Sequence, residues 1–531
     1  MRRFSSYGPV DTDLHFHAPR TALVDRVLGA LVGGGGPENG GGYITVWAPR
    51  QRGKSWIVGQ AVRRLRDDPR YQELEVVATS VEHLKTVQDA GVVIRRIAAD
   101  VAGALGVDVG PIRSADEFDA VFRAERRSKP LILVLDEFDA LPAEAIEGIV
   151  GVFRKIHGHR RLQAGRPAGE LDYRLHGVAL VGVRGALGVD SATGSPFNVQ
   201  QNVHVPNLTE EEVRGMFAWY ERESGQGVES VVVERVYRET GGQPGLTSWL
   251  GELLTETYNR RGPSITMDDF EAAYADAVDA LPNANVQHLI GKVREAPYRD
   301  VVLDFFQTGE RQPFHFDEPH VSFLYLNGVI DREPAADGRQ YVRFSCPFVQ
   351  RRLFNYFSST LAGYAGSVFT AFEDVSDTIT DAGLDVRRLL QRFERHLQAN
   401  REWLLRDAPR RRDLRVFEAV HHFILYSFLD RFLQPRGGRV YPEFPAGNGA
   451  IDLLIRYAGE VYGLEVKSFT DAFGYRRALG QAARYARQLG LARVTLVFFV
   501  DSVDDANRSA YEAVHVDEAG VTVDPVFVET G

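Results

Sequence analysis

Across residues 1–280, short β-rich apolar runs alternate with longer stretches in which apolar residues recur every three or four positions. The runs predict buried strands and the stretches predict amphipathic helices, so the pattern is that of a parallel sheet covered by helices. Candidate strands are Tyr43 to Ala48, Leu74 to Ala78, Leu131 to Leu135 and Gly177 to Val183, the first entered through a glycine-rich loop, Gly33 to Gly42. Thr209 to Glu212 reads T-x-x-E after Leu208, which predicts a helix closed by a capping box, with Leu208 stapled onto Val213. A helical, lid-like subdomain then runs to about Asp279.

From Gln287 to Phe357 the pattern becomes helix, turn, helix (Pro319 to Asn327), strand (Val329 to Arg332), turn (Asp337-Gly338) and strand (Tyr341 to Phe344). That order suggests a winged helix, and because the wing carries acids as well as arginines it reads more readily as a packing module between domains than as a nucleic-acid reader. Arg387 to Arg415 is an arginine-rich helical stretch holding ten arginines. Arg388, Arg392 and Arg395 share one face of it, which either tracks a phosphate backbone or is simply solvated. The C-terminal region reads helix (Arg412 to Phe432), strands (Arg439 to Phe444, Gly449 to Arg456, Val461 to Ser468), helix (Gly474 to Leu489) and strand (Arg493 to Val500), an α-β-β-β-α-β order.

With 531 residues, 44% of them hydrophobic and 25% charged, the chain is an ordinary globular protein of several domains, and disorder or fibrous repeats are excluded. The boundaries fall at 1–280, 285–360, 361–410 and 411–531. No run approaches the length of a membrane span and the N-terminus MRRFSSYG lacks the apolar stretch of a secretory signal, so the expectation is a cytoplasmic protein with no membrane partner. A single cysteine, Cys346, excludes a disulfide framework and a cysteine-built zinc site. The paired histidines His15/His17, His157/His159 and His421/His422 lack matching ligands nearby and read as structural. The net charge of -10 confines any nucleic-acid surface to a local patch. Only six lysines stand among the 62 basic residues, so a lysine that persists where arginine does most basic duty marks a need for a compact charge.

Two of the six lie in motifs. After the first strand comes Ala48-Pro49-Arg50-Gln51-Arg52-Gly53-Lys54-Ser55, then a helical pattern. Loop amides and a helix N-terminus cradle phosphates, Lys54 reaches the β and γ oxygens, and the Ser55 hydroxyl ligates Mg²⁺. Ala48 replaces the usual first glycine. The apolar strand LILVL ends in Asp136-Glu137, where Asp136 would hold the magnesium and Glu137 would polarise the attacking water. Arg184, after the strand Val178 to Val183, and the segment Gly241 to Gly245 with Pro244 at its centre read either as nucleotide-sensing elements or as ordinary turns. Pro19-Arg20, YITVWAPRQRGKS, LVLDEFDAL, SPFN and GGQPGL together resemble the AAA-like ATPases of bacteria and archaea, relatives of the signal-transducing STAND and origin-recognition ATPases. The resemblance covers residues 1–280 and implies ATP-dependent switching, a homo-oligomer, and a winged helix after the ATPase domain.

In the C-terminal region, period-two alternation brings Asp452 of the second strand and Glu465 and Lys467 of the third to one place. Two carboxylates beside an amine can hold a divalent metal and activate water against a phosphodiester; the alternative is an exposed salt bridge. Asp452 with Glu465-Val466-Lys467, and Gln481 with Tyr485 on the next helix, resemble the PD-(D/E)XK nuclease superfamily over residues 411–505, with Ile451 in place of the proline. The resemblance implies an αβββαβ restriction-endonuclease-like domain, metal held by Asp452 and Glu465, Mg²⁺ or alternatively Mn²⁺, and a helix-borne acid, Glu418 or else Glu443. The combined expectation is an ATP-regulated, metal-dependent nuclease acting on DNA rather than RNA, set by its domain pairing in prokaryotic defence against foreign DNA. The competing expectation is a nucleotide-driven switch or scaffold whose nuclease-like module binds without cutting.

Overall fold

The computed structural model describes residues 1–34, 40–108, 110, 112, 116–163, 165–166, 170–182, 200–307, 312–361, 368, 373–412, 414, 416–443, 452–469 and 471–531. The chain divides into two compact units, Met1–Tyr274 and Ala275–Gly531.

The first unit begins with α1 (Thr21–Val32), β1 (Tyr43–Trp47), α2 (Lys54–Asp67), β2 (Glu75–Ser80), α3 (Ala90–Leu105), β3 (Leu131–Asp136), α4 (Ala143–Leu162), β4 (Leu175–Gly182) and β5 (Gln200–His204). The strands form one parallel sheet in the order β2-β3-β4-β1-β5. Apolar runs such as LILVL in β3 are fully buried because helices cover both faces. Val93, Ile97, Phe118, Phe122 and Phe153 pack on one face, and Val27, Leu31, Ile57, Ala61 and Leu65 on the other. The chain then folds into helices α5 (Glu210–Ser224), α6 (Ser230–Thr240), α7 (Pro244–Glu252) and α8 (Met267–Asp279), with the two-residue strands β6 (Gly227–Val228) and β7 (Ser264–Ile265) between them. Thr209 and Glu212 close the expected capping box on α5: the Glu212 amide donates to Thr209 Oγ1 (3.1 Å) and the Thr209 amide to Glu212 Oε2 (2.9 Å).

The second unit starts with α9 (Ala284–Val293), α10 (Tyr298–Gln307), α11 (Pro319–Asn327), the antiparallel hairpin β8 (Ile330–Pro334) and β9 (Gln340–Phe344), and α12 (Pro347–Leu361). Residues Gln312 and Phe314 add backbone hydrogen bonds to β9 at 2.8 Å. α11 holds neither arginine nor lysine, and its Phe323 ring is stacked on Tyr298 (3.8 Å). There follow β10 (Ile379–Thr380), β11 (Gly383–Leu384), α13 (Val386–Leu404), α14 (Glu418–Leu433), β12 (Arg439–Glu443), β13 (Asp452–Tyr457), β14 (Glu460–Ser468), α15 (Ala472–Gln488), β15 (Arg493–Val500), α16 (Asp505–Tyr511), β16 (His515–Val516) and β17 (Thr522–Glu529). The six-stranded sheet runs β12-β13-β14-β15-β17-β16, parallel between β14, β15 and β17 and antiparallel elsewhere.

Successive residues of β15 divide the two faces of this sheet. Val494, Leu496 and Phe498 join Ala478, Ala482 and Ala486 of α15 in one cluster. Phe499 points the other way, against His421 and His422 of α14 and Phe393 of α13. The arginine-rich stretch read as a connector therefore includes a helix built into the wall of this sheet. Arg392, expected on a face tracking phosphates, is buried: it bonds Thr378 Oγ1 (2.6 Å), the Asp374 carbonyl (2.8 Å), Asp377 (2.6 Å) and Glu373. Arg388 pairs with Asp377 (3.0 Å), and Arg387 with Asp524 (2.6 Å) and Glu512 (2.8 Å). The amphipathic period showed the arginines, and acids distant in sequence claim them. The helix expected from Arg412 begins instead at Glu418, and Leu414 lies before it at φ 70° and is 74% exposed. No helix among the described residues is long and apolar enough to cross a membrane.

Candidate nucleotide and metal sites

β1 leaves the sheet at Trp47, residues 48–53 turn, and α2 begins at Lys54. Gly53 precedes the helix with φ 84°, a left-handed conformation that glycine adopts without cost, and Gln51 takes φ 57° despite its side chain. Ala48, Pro49 and Arg52 are buried; Arg50, Gln51 and Ser55 are exposed. Lys54 is buried too, and its Nζ donates to the carbonyls of Ala48 (2.9 Å) and Pro49 (3.1 Å), folding back over the mouth of the loop. β4 alone separates β1 from β3, so Asp136 and Glu137 leave the same carboxyl edge of the sheet as the loop. This edge is where open parallel sheets bind ligands.

The Glu137 amide donates to Asp136 Oδ1 (2.9 Å), and Glu137 sits at φ 56°, a conformation uncommon for a residue with a Cβ. Burial pushes the Lys54 amine below its ordinary value, opposed by the charges of Glu137, Asp139 and Asp136. Burial also raises the Glu137 carboxyl, opposed by Lys54. Asp139 was not anticipated. Among the described residues its buried Oδ1 has no hydrogen-bond partner, and it presses on Gly182, where a Cβ would lie 2.2 Å from that oxygen. The third acid of the D-E-F-D run was the available signal.

The Pro244 segment lies directly on this loop. The Gly245 amide donates to the Gln51 carbonyl (3.2 Å) and Gln243 Nε2 to the Arg50 carbonyl (3.3 Å), with Pro244 opening α7 between them. A Cβ at Gly245 would fall 2.4 Å from Gln51 Oε1. Arg20, just before α1, donates to the Pro206 (2.7 Å) and Asn207 (3.2 Å) carbonyls and pairs with Glu212 (3.2 Å). His17 sits between Trp56 of α2 (5.4 Å) and Trp219 of α5 (5.3 Å). Arg184 and the SPFN segment lie outside the described residues.

In the second unit, Glu465 and Lys467 are neighbours on one face of β14, with Lys467 Nζ 3.1 Å from Glu465 Oε1. In a side chain 1% exposed, Oε1 is thus in an ion pair with that ammonium, and among the described residues Oε2 has no hydrogen-bond partner. Burial raises the Glu465 carboxyl, opposed by the charges of Lys467 and Arg484. The register pairs Glu465 with Leu496 and Lys467 with Phe498, which places both on the face covered by α15. Gln481 is half-buried on α15, one turn before the buried Tyr485. Asp452 opens β13, paired through its backbone with Glu443, and the β13–β14 register continued one step beyond Leu453–Leu464 sets it against Glu465. Glu418 is the first residue of α14, the helix on the opposite face.

His422, read from the sequence as structural, is buried, and among the described residues neither ring nitrogen is bonded; burial, then the charges of His421 and Lys467, push it down to about 3. His421 is pushed down to about 4, mainly by burial. Among the described residues no cluster of three or more histidine, cysteine or acidic side chains is poised around a metal. The Glu465 carboxylate is a hard donor of the kind Mg²⁺ or Mn²⁺ takes, and its Oε2 has no partner among the described residues, so the residues present fit a divalent cation.

No family model matches the chain, and no curated protein does. Among solved structures, a Walker-type ATPase of Pyrococcus abyssi is similar at 13% identity and TM-score 0.42, over 66% of this chain and 99% of that one. The ORC1 protein of Aeropyrum pernix, solved in complex with DNA, is similar at 16% identity and TM-score 0.33, over 64% of this chain and 92% of that one. The RuvB Holliday-junction branch-migration motor of Thermotoga maritima is similar at 15% identity and TM-score 0.35, over 63% of this chain and 94% of that one. By its own geometry the first unit is an α/β fold with a parallel sheet, whose strand-loop-helix turn holds a buried lysine at the same edge as an acidic strand end.

Proposed function

We propose that the chain is an ATP-regulated, divalent-metal-dependent nuclease, in which an ATPase of the AAA-like kind controls a PD-(D/E)XK-type site. The observation that carries the nuclease half is the Glu465–Lys467 pair: a buried carboxylate held 3.1 Å from an ammonium, with its second oxygen unbonded among the described residues. Asp452 and Glu465 would hold the metal, which supplies charge stabilisation for the scissile phosphate. Lys467 orients the attacking water or takes its proton, and Gln481 lines the same face from α15. Glu418 and Glu443 remain candidates for the further acid. In the ATPase half, the Lys54 ammonium leaves the Ala48 and Pro49 carbonyls to donate to the β and γ phosphates, Ser55 and Asp136 would hold Mg²⁺, and Glu137 polarises water.

In this reading the module of α9 to α12 is a winged helix. The apolar, cation-free α11 favours packing over base reading as its role. DNA is the substrate preferred over RNA, homo-oligomerisation accompanies ATP binding, the setting is the cytoplasm, and the biological role is defence against foreign DNA. The test is incubation of the purified protein with plasmid, linear DNA and RNA, with and without ATP and Mg²⁺ or Mn²⁺. Asp452→Ala, Glu465→Ala and Lys467→Ala should each abolish cleavage while leaving the circular dichroism spectrum unchanged, and the two acid substitutions should also weaken metal binding. Cutting that survives all three would place the chemistry elsewhere. Metal binding without any cutting would favour the scaffold reading.

A further inference from the structure

α15 carries four arginines, at 476, 477, 484 and 487, and no acidic residue, in a chain whose net charge is -10. At 3.6 residues per turn, Phe473, Arg476, Arg477, Gly480, Arg484 and Arg487 fall within about 120° of one another on the helix circumference. The opposite face, Ala478, Leu479, Ala482, Ala483 and Ala486, is buried on the sheet. The stripe is therefore the outward face of the helix that covers Glu465 and Lys467.

Acids claim Arg387, Arg388 and Arg392 of α13. On α15, among the described residues, Arg476 donates to the Ala472 carbonyl of its own helix (3.3 Å), and neither it nor Arg484 forms an ion pair. Arg487 is held loosely by Asp517 at 3.8 Å. Arg484 also stands near enough to Glu465 for its charge to favour the ionised carboxylate. At the N-terminal end of the stripe Phe473 is 72% exposed, an unusual position for a large aromatic ring.

We infer that the outward face of α15 holds a single-stranded polynucleotide for the Glu465–Lys467 site, its arginines on backbone phosphates and Phe473 under an unstacked base. Phosphates explain the arginines but give the ring no purpose. A duplex keeps its base faces stacked away from such a ring, whereas a single strand offers them, and base-aromatic stacking tolerates any sequence. The inference takes its destination from the proposed nuclease site, yet binding is measurable without cleavage.

The experiment titrates the full chain with a labelled single-stranded oligonucleotide and with its duplex, in EDTA, across a salt series. Arg476→Ala and Arg484→Ala should each flatten the log–log salt dependence of single-strand binding by about 0.7. Phe473→Ala should weaken binding roughly 5- to 150-fold with the slope unchanged, and Phe473→Trp should restore it. Arg388→Ala, on the acid-paired helix, is the control that leaves both quantities alone. Unchanged affinity and slope in the three α15 variants would overturn the inference, as would duplex binding that is the tighter and indifferent to Phe473. A protein that binds through α15 but never cuts in Mg²⁺ or Mn²⁺ would refute the nuclease reading while leaving this surface standing. Undiminished cutting and binding in the α15 variants would refute the surface alone.

Discussion

Lys54 occupies its loop by bonding two carbonyls, Ala48 and Pro49, that have no other call on a cation once phosphates arrive. Its buried amine is held against three acids, so removal of the side chain takes away both the phosphate ligand and the counter-charge to Glu137. Lys54→Ala should therefore abolish ATP hydrolysis and weaken nucleotide binding, whereas Glu137→Gln should bind ATP and fail to turn it over. Isothermal titration with a phosphate-release assay separates the two, and equal turnover in wild type and both variants would remove the ATPase assignment. A different residue-scale outcome follows from His421 and His422, pushed down to about 4 and about 3 from an ordinary 6.5. Below pH 6.5 the unfolded chain takes up protons that these folded imidazoles refuse, so stability present at neutral pH is lost as pH falls from 6.5 toward 4. At pH 5 the loss from His422 alone is about 2 kcal/mol. His422→Phe keeps a ring against Phe499 and should flatten the stability-versus-pH curve between pH 7 and 5 in urea melts; an unaltered slope would show that His422 takes no part.

At the scale of elements, the seam between α7 and the phosphate loop is close enough to be tested by one methyl group. Gly245 has Gln51 atoms at 2.4 and 2.8 Å from where its Cβ would be, so Gly245→Ala must part the helix from the loop. Overpacking of this kind costs about 1–3 kcal/mol, read as a lowered midpoint in denaturant and as weaker nucleotide binding. A variant with wild-type midpoint and affinity would mean that the seam does not support the loop. β1 and β3 were legible from sequence because their runs are buried on both faces, and β14, α15 and β15 because their periods agree with their burial. β17 was not, although it lies beside β15 in the sheet, because Asp524 and Pro525 interrupt its apolar alternation. Strand order was equally hidden: β4 lies between β1 and β3 through long-range pairing that no local pattern encodes. The helical arginines of α13 and α15 look alike in sequence, and only the pairing of Arg387, Arg388 and Arg392 with Asp377, Glu512 and Asp524 tells them from Arg476 and Arg484, which form no ion pair among the described residues. The site followed the same rule. Motif residues Lys54, Glu465 and Lys467 were readable, while Asp139 and His422 gain their character from burial alone.

For the molecule as a whole, the two proposed sites lie in two compact units, Lys54 and Glu137 in the first and Glu465 and Lys467 in the second. The proposed sites share no residue, so any influence of ATP on cleavage has to pass as a change in conformation or assembly and is bounded by the differential binding of nucleotide to two states. An unregulated nuclease would damage its own cell, and this is the reason to expect such an influence. Coupling free energies of this kind are about 1–3 kcal/mol, equivalent to roughly 5- to 150-fold in an equilibrium. The expected outcome is that cleavage rate or sedimentation coefficient differs among the nucleotide-free, ADP and non-hydrolysable ATP-analogue forms. The Glu137→Gln protein at saturating ATP should resemble the analogue form, because it holds the nucleotide without consuming it. Lys54→Ala should be fixed in the nucleotide-free behaviour whatever is added. Reciprocity gives an independent check: if ATP tightens the hold on a single strand by some factor, the same strand must tighten ATP by that factor, measurable by titrating nucleotide with and without oligonucleotide in EDTA. Identical rates, assemblies and affinities in every nucleotide state would leave two uncoupled enzymes on one chain.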